Sequence, residues 1–193
     1  MENASLISWQ GRMRVRIGPA ELLQFAPDED TRCLFDLRNH PSVRTFMPSS
    51  APLQYEAHRA WVGQHLATNP DFLMFIVRRL GTPVGFTLLK RLSPGVLEVG
   101  LMFVEQAQNQ RLVVQAAVVT AGLAIDRFGA RRLVSFVNPS HHHARTLNEG
   151  LGMGAAPSQK PGELCYASTA EALKVHPVHR RVGRSLEVAV DFI

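Results

Sequence analysis

Two adjacent apolar segments constrain the fold of this chain more than any other feature. Residues 96 to 104 read VLEVGLMFV, which is too continuously apolar for an exposed edge and predicts a central strand. Residues 111 to 127 are apolar on nearly every side of a helix, which predicts a helix buried against a sheet. Together the two segments require a sheet with helices packed on it. The single charge in the strand, Glu98, therefore needs an explanation.

Turn and stop signals divide the remainder of the chain into short elements. Pro41 and Pro70 each follow a helical pattern, and the residue before a proline is pushed out of the helical region, so both mark predicted helix ends. Gly81-Thr82 predicts the turn of a hairpin. Strands are predicted at residues 20 to 26, 72 to 78, 83 to 89, 133 to 137 and 163 to 167, and helices at 27 to 39, 54 to 67 and 141 to 150.

The composition is that of a folded protein. Of 193 residues, 46% are hydrophobic and 19% are charged, which argues against disorder. The apolar runs stop well short of the ~20 residues that a membrane helix needs, and the first residues lack a secretory apolar region, so we expect no membrane contact and a cytoplasmic location. The net charge of +5 is scattered, which favours weak steering of anionic ligands over nucleic-acid binding. Cys33 and Cys165 form no metal or disulfide pattern and are predicted to be buried free thiols.

The two ends of the chain carry alternating patterns of opposite charge. Residues 12 to 17, RMRVRI, alternate with basic residues, and residues 186 to 193, LEVAVDFI, alternate with acidic ones. Opposite charges across a strand pair are stabilising, so we expect these segments to pair, either within one chain or across a homodimer. The chain is thus divided into an N-terminal extension (1 to 19), one domain (20 to 167) and a C-terminal extension (168 to 193).

Several short sequence motifs, called phrases below, occur in a defined order along the predicted elements. They are Asp36-Leu37-Arg38-Asn39 with Ser42-Val43-Arg44, Met47, His58 and Trp61; Val84-Gly85-Phe86; Val137-Asn138-Pro139; and the run from Leu147 to Met153. In this order and spacing, over about residues 20 to 167, they resemble the GCN5-related N-acetyltransferase (GNAT) family, and within it the relatives that act on amino sugars or on protein N-termini. The resemblance implies an α/β fold of the mixed α+β kind, with a mostly antiparallel sheet splayed at the cofactor site and flanked by helices. It also implies acetyl-CoA as cosubstrate and an amine as acceptor.

The segment between the central strand and the buried helix departs from the family pattern. A pyrophosphate binds at a helix N-terminus because free N–H groups point at it, and glycine lets the backbone come close. Arg111 and Val113 stand where the family has small residues, and such bulk costs on the order of 1 to 3 kcal/mol. Either Arg111 offsets this by a charged hydrogen bond to phosphate, or the site binds CoA poorly. The cofactor contacts that the resemblance implies are Met102, Phe103, Val104, Gln108, Asn109, Gln110, Arg111, Leu112, Val113 and His141.

The resemblance also assigns catalytic roles. A strand carboxylate takes the amine proton in this family, and Glu98 stands on the corresponding strand; the alternative is a surface carboxylate at a strand end. Backbone N–H groups of residues 102 to 104 would bind the carbonyl oxygen. A tyrosine often occupies the position of Asn148 as general acid, and an asparagine cannot donate that proton. Tyr166 is a substitute that is more often simply packed.

Four residues near the second and third predicted elements are candidates for acceptor binding. Arg38, Asn39, Arg44 and His58 would recognise an acidic or phosphorylated acceptor, since arginine presents a fork suited to phosphate. The alternative is a solvated helix end. Trp61 is expected in the core. His141 to His143 do not predict a metal site, because residues two apart on a helix do not face each other.

Three functions remain open from the sequence. The first is an enzyme that transfers an acetyl group directly from acetyl-CoA to the amine of a small molecule, with a nucleotide-linked amino sugar as the favoured acceptor. The second is a binding or structural protein that keeps the fold without catalysis. The third is an acetyltransferase that acts on protein N-termini.

Overall fold

The computed structural model describes residues 12–47, 49–108, 111–185 and 188–193. The strands are β1 (Met13–Ile17), β2 (Ala20–Gln24), β3 (Phe72–Arg79), β4 (Thr82–Ser93), β5 (Val96–Phe103), β6 (Arg132–Val137), β7 (Gly154–Ala156), β8 (Leu164–Thr169) and β9 (Val188–Phe192). The helices are α1 (Pro27–Asn39), α2 (Pro41–Arg44), α3 (Tyr55–His65), α4 (Glu105–Gln108), α5 (Arg111–Asp126), α6 (His142–Gly150), α7 (Ala170–Val175) and α8 (Pro177–Ser185). Each element predicted within residues 20 to 167 is present, with ends that shift by a few residues.

All the strands join one mixed sheet in the order β7-β8-β6-β5-β4-β3-β2-β1-β9. The pair β5–β6 is parallel, and the other neighbouring pairs are antiparallel. The predicted fold class, a mostly antiparallel mixed sheet flanked by helices, is confirmed. Its central strand is β5, as the apolar run had indicated.

Helices cover both faces of the sheet. Along β3, alternate side chains belong to different cores because successive strand residues point to opposite faces. Phe75 packs in the larger core with α5, whereas Ile76 packs in a second core with α1 and α3. Helix α5 has buried residues on most of its sides, as predicted.

The two ends of the chain form neighbouring strands at one edge of the sheet. Strand β9 pairs antiparallel with β1, and Arg14 lies opposite Asp191. The predicted pairing of the end segments is confirmed, and it occurs within one chain. The sequence did not predict the short elements α2, α4 and β7, or the helices α7 and α8 that precede β9. No helix in the described ranges is long and apolar enough to cross a membrane.

Candidate active site

The sheet opens where β5 and β6 stop pairing. Their parallel register runs from Val96 opposite Arg132 to Glu98 opposite Val134 and goes no further. Beyond Glu98, β5 continues beside β4 as far as Phe103, while β6 continues beside β8. The backbone groups of β5 that face β6 therefore lose their strand partner within the sheet, which is a place where a ligand can bind a central strand.

Two cavities meet at this opening. The helix-side cavity, about 490 Å³, lies between the end of β5 and residues of α5 and α6. The sheet-side cavity, about 290 Å³, is lined by residues of β4, β5 and β6 and by Arg38 and Trp61. The residues that line both are Phe46, Leu101, Met102, His141, Ala144 and Leu147. The two cavities are thus adjacent at the opening between β5 and β6.

Most of the predicted cofactor residues line the helix-side cavity. They are Met102, Phe103, Gln108, Arg111, Val113 and His141. Leu112 is 6% exposed and packs in the larger core, so its side chain is not part of this lining. Asn109 and Gln110 lie outside the described residues. Helix α5 begins at Arg111, which lines this cavity.

The backbone of β5 corrects one expectation. The N–H of Val104 donates to the carbonyl of Val84 at 3.0 Å, so it is not free to bind a ligand oxygen. Because N–H directions alternate along an antiparallel pair, Met102 also faces β4, and the N–H of Phe103 faces the opened side. The carbonyl of Phe103 accepts a hydrogen bond from Gln108 Nε2 at 2.9 Å on that side. Phe103 is thus the better candidate for binding a carbonyl oxygen.

Glu98 lies in the sheet-side cavity and is held by a lysine that sequence reasoning missed. Lys160 Nζ donates to Glu98 Oε1 at 2.7 Å and lies 4.1 Å from the ring centre of Phe136. The other carboxylate oxygen, Oε2, is buried and has no hydrogen-bond partner among the described residues. Lys160 comes from the segment between β7 and β8, and no local pattern connects it to β5.

The two candidates for the general acid lie in different places. Asn148 is buried and lines the sheet-side cavity, where its amide donates to Ser135 Oγ at 3.3 Å. Tyr166 lines neither of the two cavities, is 4% exposed, and donates through its hydroxyl to Glu149 at 3.2 Å. The position of Tyr166 fits its alternative, a packed side chain, and gives no support to an acid role.

Arg38 faces the sheet-side cavity from α1. Its guanidinium lies 4.4 Å from the ring centre of Trp61 and donates to His58 Nδ1 at 3.5 Å. An arginine can only donate, so His58 Nδ1 is the acceptor and His58 Nε2 carries the proton. Burial, and then the charge of Arg38, lower the pKa of His58 to about 4. Trp61, expected in the core, both packs against the second core and lines this cavity.

The remaining predicted acceptor residues do not line the sheet-side cavity. His58 is 3% exposed and lies behind Arg38. Asn39 bonds both backbone groups of Leu53, through its Oδ1 at 3.0 Å and its Nδ2 at 3.4 Å, so it braces the chain before α3. Arg44 is half-buried on α2 and lines neither cavity. Of the four candidates, the structure brings only Arg38 to the cavity.

His141 lies where the two cavities meet. Its ring stacks on Phe46 with the centres 3.7 Å apart. Burial lowers the pKa of His141, and the charge of His143 adds to this effect, so the neutral imidazole is favoured. A flat, neutral ring pair at this junction is suited to contact with an acyl chain or a thioester.

Comparison with protein families gives a direct match. A model described as an acetyltransferase (GNAT) domain matches residues 21–154. The match runs from β2 to the end of α6 and therefore includes most of the lining of both cavities. A comparison of the sequence with curated proteins finds no match.

Solved structures share the fold at low sequence identity. A GCN5-related N-acetyltransferase from Brucella melitensis has a TM-score of 0.73 at 15% identity, over 93% of this chain and 90% of the other. A probable GNAT-family acetyltransferase from Chromobacterium violaceum has a TM-score of 0.71 at 14% identity, over 91% and 98%. RimL, a ribosomal L7/L12 α-N-protein acetyltransferase solved with coenzyme A, has a TM-score of 0.67 at 15% identity, over 81% and 99%.

Proposed function

This chain belongs to the GNAT acetyltransferase family, and on that premise we propose that it moves an acetyl group from acetyl-CoA to the amine of a small molecule. The observation that carries the proposal is the meeting of two cavities where β5 parts from β6. Direct transfer between two substrates needs both to reach one point, because reacting atoms must approach to about 3 to 3.5 Å. The helix-side cavity would hold the acetyl donor and the sheet-side cavity the acceptor.

The helix-side cavity has features that fit acetyl-CoA. Its walls are largely apolar, which suits the pantetheine chain, and Arg111 and the start of α5 lie at its edge. Arginine forms strong paired hydrogen bonds to phosphate, and the first N–H groups of a helix favour an anion. Val113 is 8% exposed and packs in the larger core while it also borders the cavity. These contacts support the interpretation in which Arg111 compensates for the missing glycines.

Glu98 is the proposed base. Attack on the thioester carbon requires an amine with a free electron pair, and the amine proton passes to the Glu98 carboxylate directly or through water. The N–H of Phe103 would stabilise the negative charge that develops on the carbonyl oxygen. The departing thiolate has a parent pKa of ~8.5, so loss of a general acid costs less here than for an alkoxide. Acetyl transfer is then compatible with an asparagine at position 148. Asn148 lines the cavity and donates a hydrogen bond to Ser135, which also lines it.

Calorimetric titration with acetyl-CoA tests the donor half of the proposal. We expect binding, and we expect Arg111→Ala to weaken it by roughly tenfold or more, because a charged hydrogen bond contributes about 1.5 to 3 kcal/mol. Arg32→Ala, an exposed position on α1, is the control. If wild type gives no heat at millimolar acetyl-CoA, the donor assignment is wrong.

The second candidate is a GNAT-fold binding protein without catalysis. It is favoured by Asn148, which stands in the place of an acid and bonds Ser135. Thiol release from acetyl-CoA with amino sugars, nucleotide-linked amino sugars, polyamines and N-terminal peptides separates the candidates. Release with a nucleotide-linked amino sugar supports the favoured acceptor, release with peptides supports N-terminal acetylation as for RimL, and silence across the panel supports the binding protein.

A further inference from the structure

The sheet-side cavity carries opposite charge at its two ends. Arg38 and Trp61 line the end formed by α1 and α3, and Glu98, Lys160 and Glu163 line the end formed by β5 and the segment before β8. We propose that the acceptor is a dipolar molecule, an amine that also carries a carboxylate or phosphate, with its amine toward Glu98 and its acidic group toward Arg38. The inference rests on the proposed function, since it assigns the acceptor of that reaction.

Arg38 has no carboxylate partner among the residues that the structure describes. Its contacts are the ring of Trp61 and the neutral imidazole of His58, and none of the ion pairs among the described residues includes it. Burial lowers the pKa of Arg38. Removing a charge from water is costly unless a partner compensates for it. A ligand anion is the partner that this geometry lacks, and the planar guanidinium can bind a carboxylate or phosphate through two parallel hydrogen bonds.

The other end of the cavity has excess negative charge. Lys160 Nζ lies 2.7 Å from Glu98 Oε1 and 4.0 Å from Glu163 Oε2, so one cation serves two carboxylates. Glu98 Oε2 is buried and lacks a hydrogen-bond partner within the part of the chain that the structure describes. A buried acceptor atom normally has a donor. An acceptor amine would donate hydrogen bonds to the Glu98 carboxylate, at the position where the proposed base must act.

The size of the cavity limits the rest of the acceptor. About 290 Å³ is at the small end for ligand sites, so the cavity holds a molecule the size of an amino acid or an amino-sugar phosphate. A nucleotide attached to that phosphate would extend outside the cavity. A polyamine presents a second cation to Arg38 and is therefore disfavoured.

Matched acceptor pairs test the role of the acidic group. Initial rates of thiol release from acetyl-CoA are measured for glucosamine 1-phosphate against glucosamine, phosphoethanolamine against ethanolamine, and β-alanine against propylamine. We expect at least one anionic member to exceed its partner in kcat/KM by roughly 10- to 100-fold, the effect of a charged hydrogen bond. The phosphate and carboxylate arms show which anion the site prefers. Equal kcat/KM within every pair, measured with the wild-type protein, would overturn the proposal.

Two variants assign the preference to Arg38. Arg38→Met keeps length and packing against Trp61 but removes the charge, and we expect the anionic and uncharged members of a pair to become equal in kcat/KM. Arg38→Lys keeps the charge and should keep part of the preference. If Arg38→Met leaves the preference unchanged, Arg38 is not the anion site. Thermal melting of both variants shows whether they fold.

Binding in the absence of acetyl-CoA separates this inference from the proposed function. Titration of glucosamine 1-phosphate, phosphoethanolamine and β-alanine into the protein is followed by NMR, alongside their uncharged partners. Tighter binding of an anionic member that Arg38→Met abolishes supports the dipolar site even where no thiol is released, and then only the transfer reaction is wrong. Equal or absent binding of the anionic members overturns the dipolar site, whatever the acetyl-CoA titration gives.

Discussion

Lys160 Nζ lies 2.7 Å from Glu98 Oε1, across 62 positions of sequence. The carboxylate belongs to the central strand β5, and the lysine belongs to the segment that leads into β8. The pair is only partly exposed, with 13% of the Glu98 side chain and 39% of the Lys160 side chain accessible. Lys160 engages one carboxylate oxygen, and the second is buried without a hydrogen-bond partner among the described residues. The lysine therefore fixes the orientation of the proposed base.

We expect Glu98→Gln to lower kcat by roughly 10²- to 10⁴-fold, because the amide cannot accept the amine proton. Acetyl-CoA affinity, measured by calorimetry, should stay within about twofold, since Glu98 does not line the helix-side cavity.

Lys160→Met should lower kcat less than Glu98→Gln does, because the base remains but loses its orientation. Lys174→Met removes a comparable 2.8 Å pair with Asp126 on the exposed surface and should leave kcat unchanged. An unaltered kcat in Glu98→Gln would leave Glu98 as a structural carboxylate.

His58 should make stability depend on pH. Burial lowers its pKa from the ordinary 6.5 to about 4 in the folded state. The unfolded chain therefore binds a proton more readily than the folded one between these values, so stability is lost as pH falls from about 6.5 to about 4. At pH 4 the free energy of unfolding is lower by on the order of 3 kcal/mol than at neutral pH.

Urea denaturation at steps between pH 7 and pH 4 measures this dependence. His58→Gln, which keeps an acceptor near Arg38 but does not titrate, should flatten the curve relative to wild type over that window. His40→Gln is the control, since His40 lies at the start of α2 and is not among the buried residues. Curves of equal slope for wild type and His58→Gln would show that His58 is not the source.

Gly85 is required by a close approach of β4 and β5. A Cβ placed on it would lie 2.4 Å from the carbonyl oxygen of Met102, a backbone atom of the strand that borders both cavities. We expect Gly85→Ala to lower the free energy of unfolding by about 1 to 3 kcal/mol, as overpacking does. Gly63→Ala on α3 is the matched control: nothing lies within 4 Å of its added Cβ, and alanine favours helix by about 1 kcal/mol. Chemical denaturation of the two variants should give changes of opposite sign.

The sequence predicted the main elements because their signals are local. The apolar run of β5 and the apolar surface of α5 each lie within one segment, and periodicity reveals such segments directly. Helices α7 and α8 were not predicted, because the alternating pattern that follows them is the more pronounced signal in residues 168 to 193. The signal that would have found α7 is the side-chain cap of Thr169, which accepts from the N–H of Ala172.

The candidate site could be predicted only in part, because its residues meet through the topology of the sheet. Arg38 was found from its position in a family phrase and Glu98 from its position on the strand before the cofactor loop, and both line the sheet-side cavity. Lys160 lies in no family phrase. Its ion pair with Glu98 depends on the pairing of β8 with β6, which brings the segment before β8 close to the central strands. The N–H of Val104 was misassigned because the direction of a backbone group depends on strand register, and its bond to Val84 is a fact of pairing rather than of sequence.

We expect strand β9 to stabilise this edge of the sheet and to prevent the edge from pairing with another molecule. It covers β1, in which Met13, Val15 and Ile17 are 0 to 1% exposed. Deletion of residues 188 to 193 would leave β1 as a bare edge, and an unpaired edge strand both loses its ladder of hydrogen bonds and invites pairing with another molecule.

We therefore expect this deletion to lower the midpoint of urea denaturation and to raise the mass measured by light scattering. Arg16→Gln, which removes only the exposed ion pair with Asp191, should change stability by less than about 1 kcal/mol, because such pairs contribute little. If the deletion leaves both the midpoint and the mass unchanged, β9 is dispensable. If Arg16→Gln alone reproduces the loss, the ion pair and not the strand ladder holds the edge.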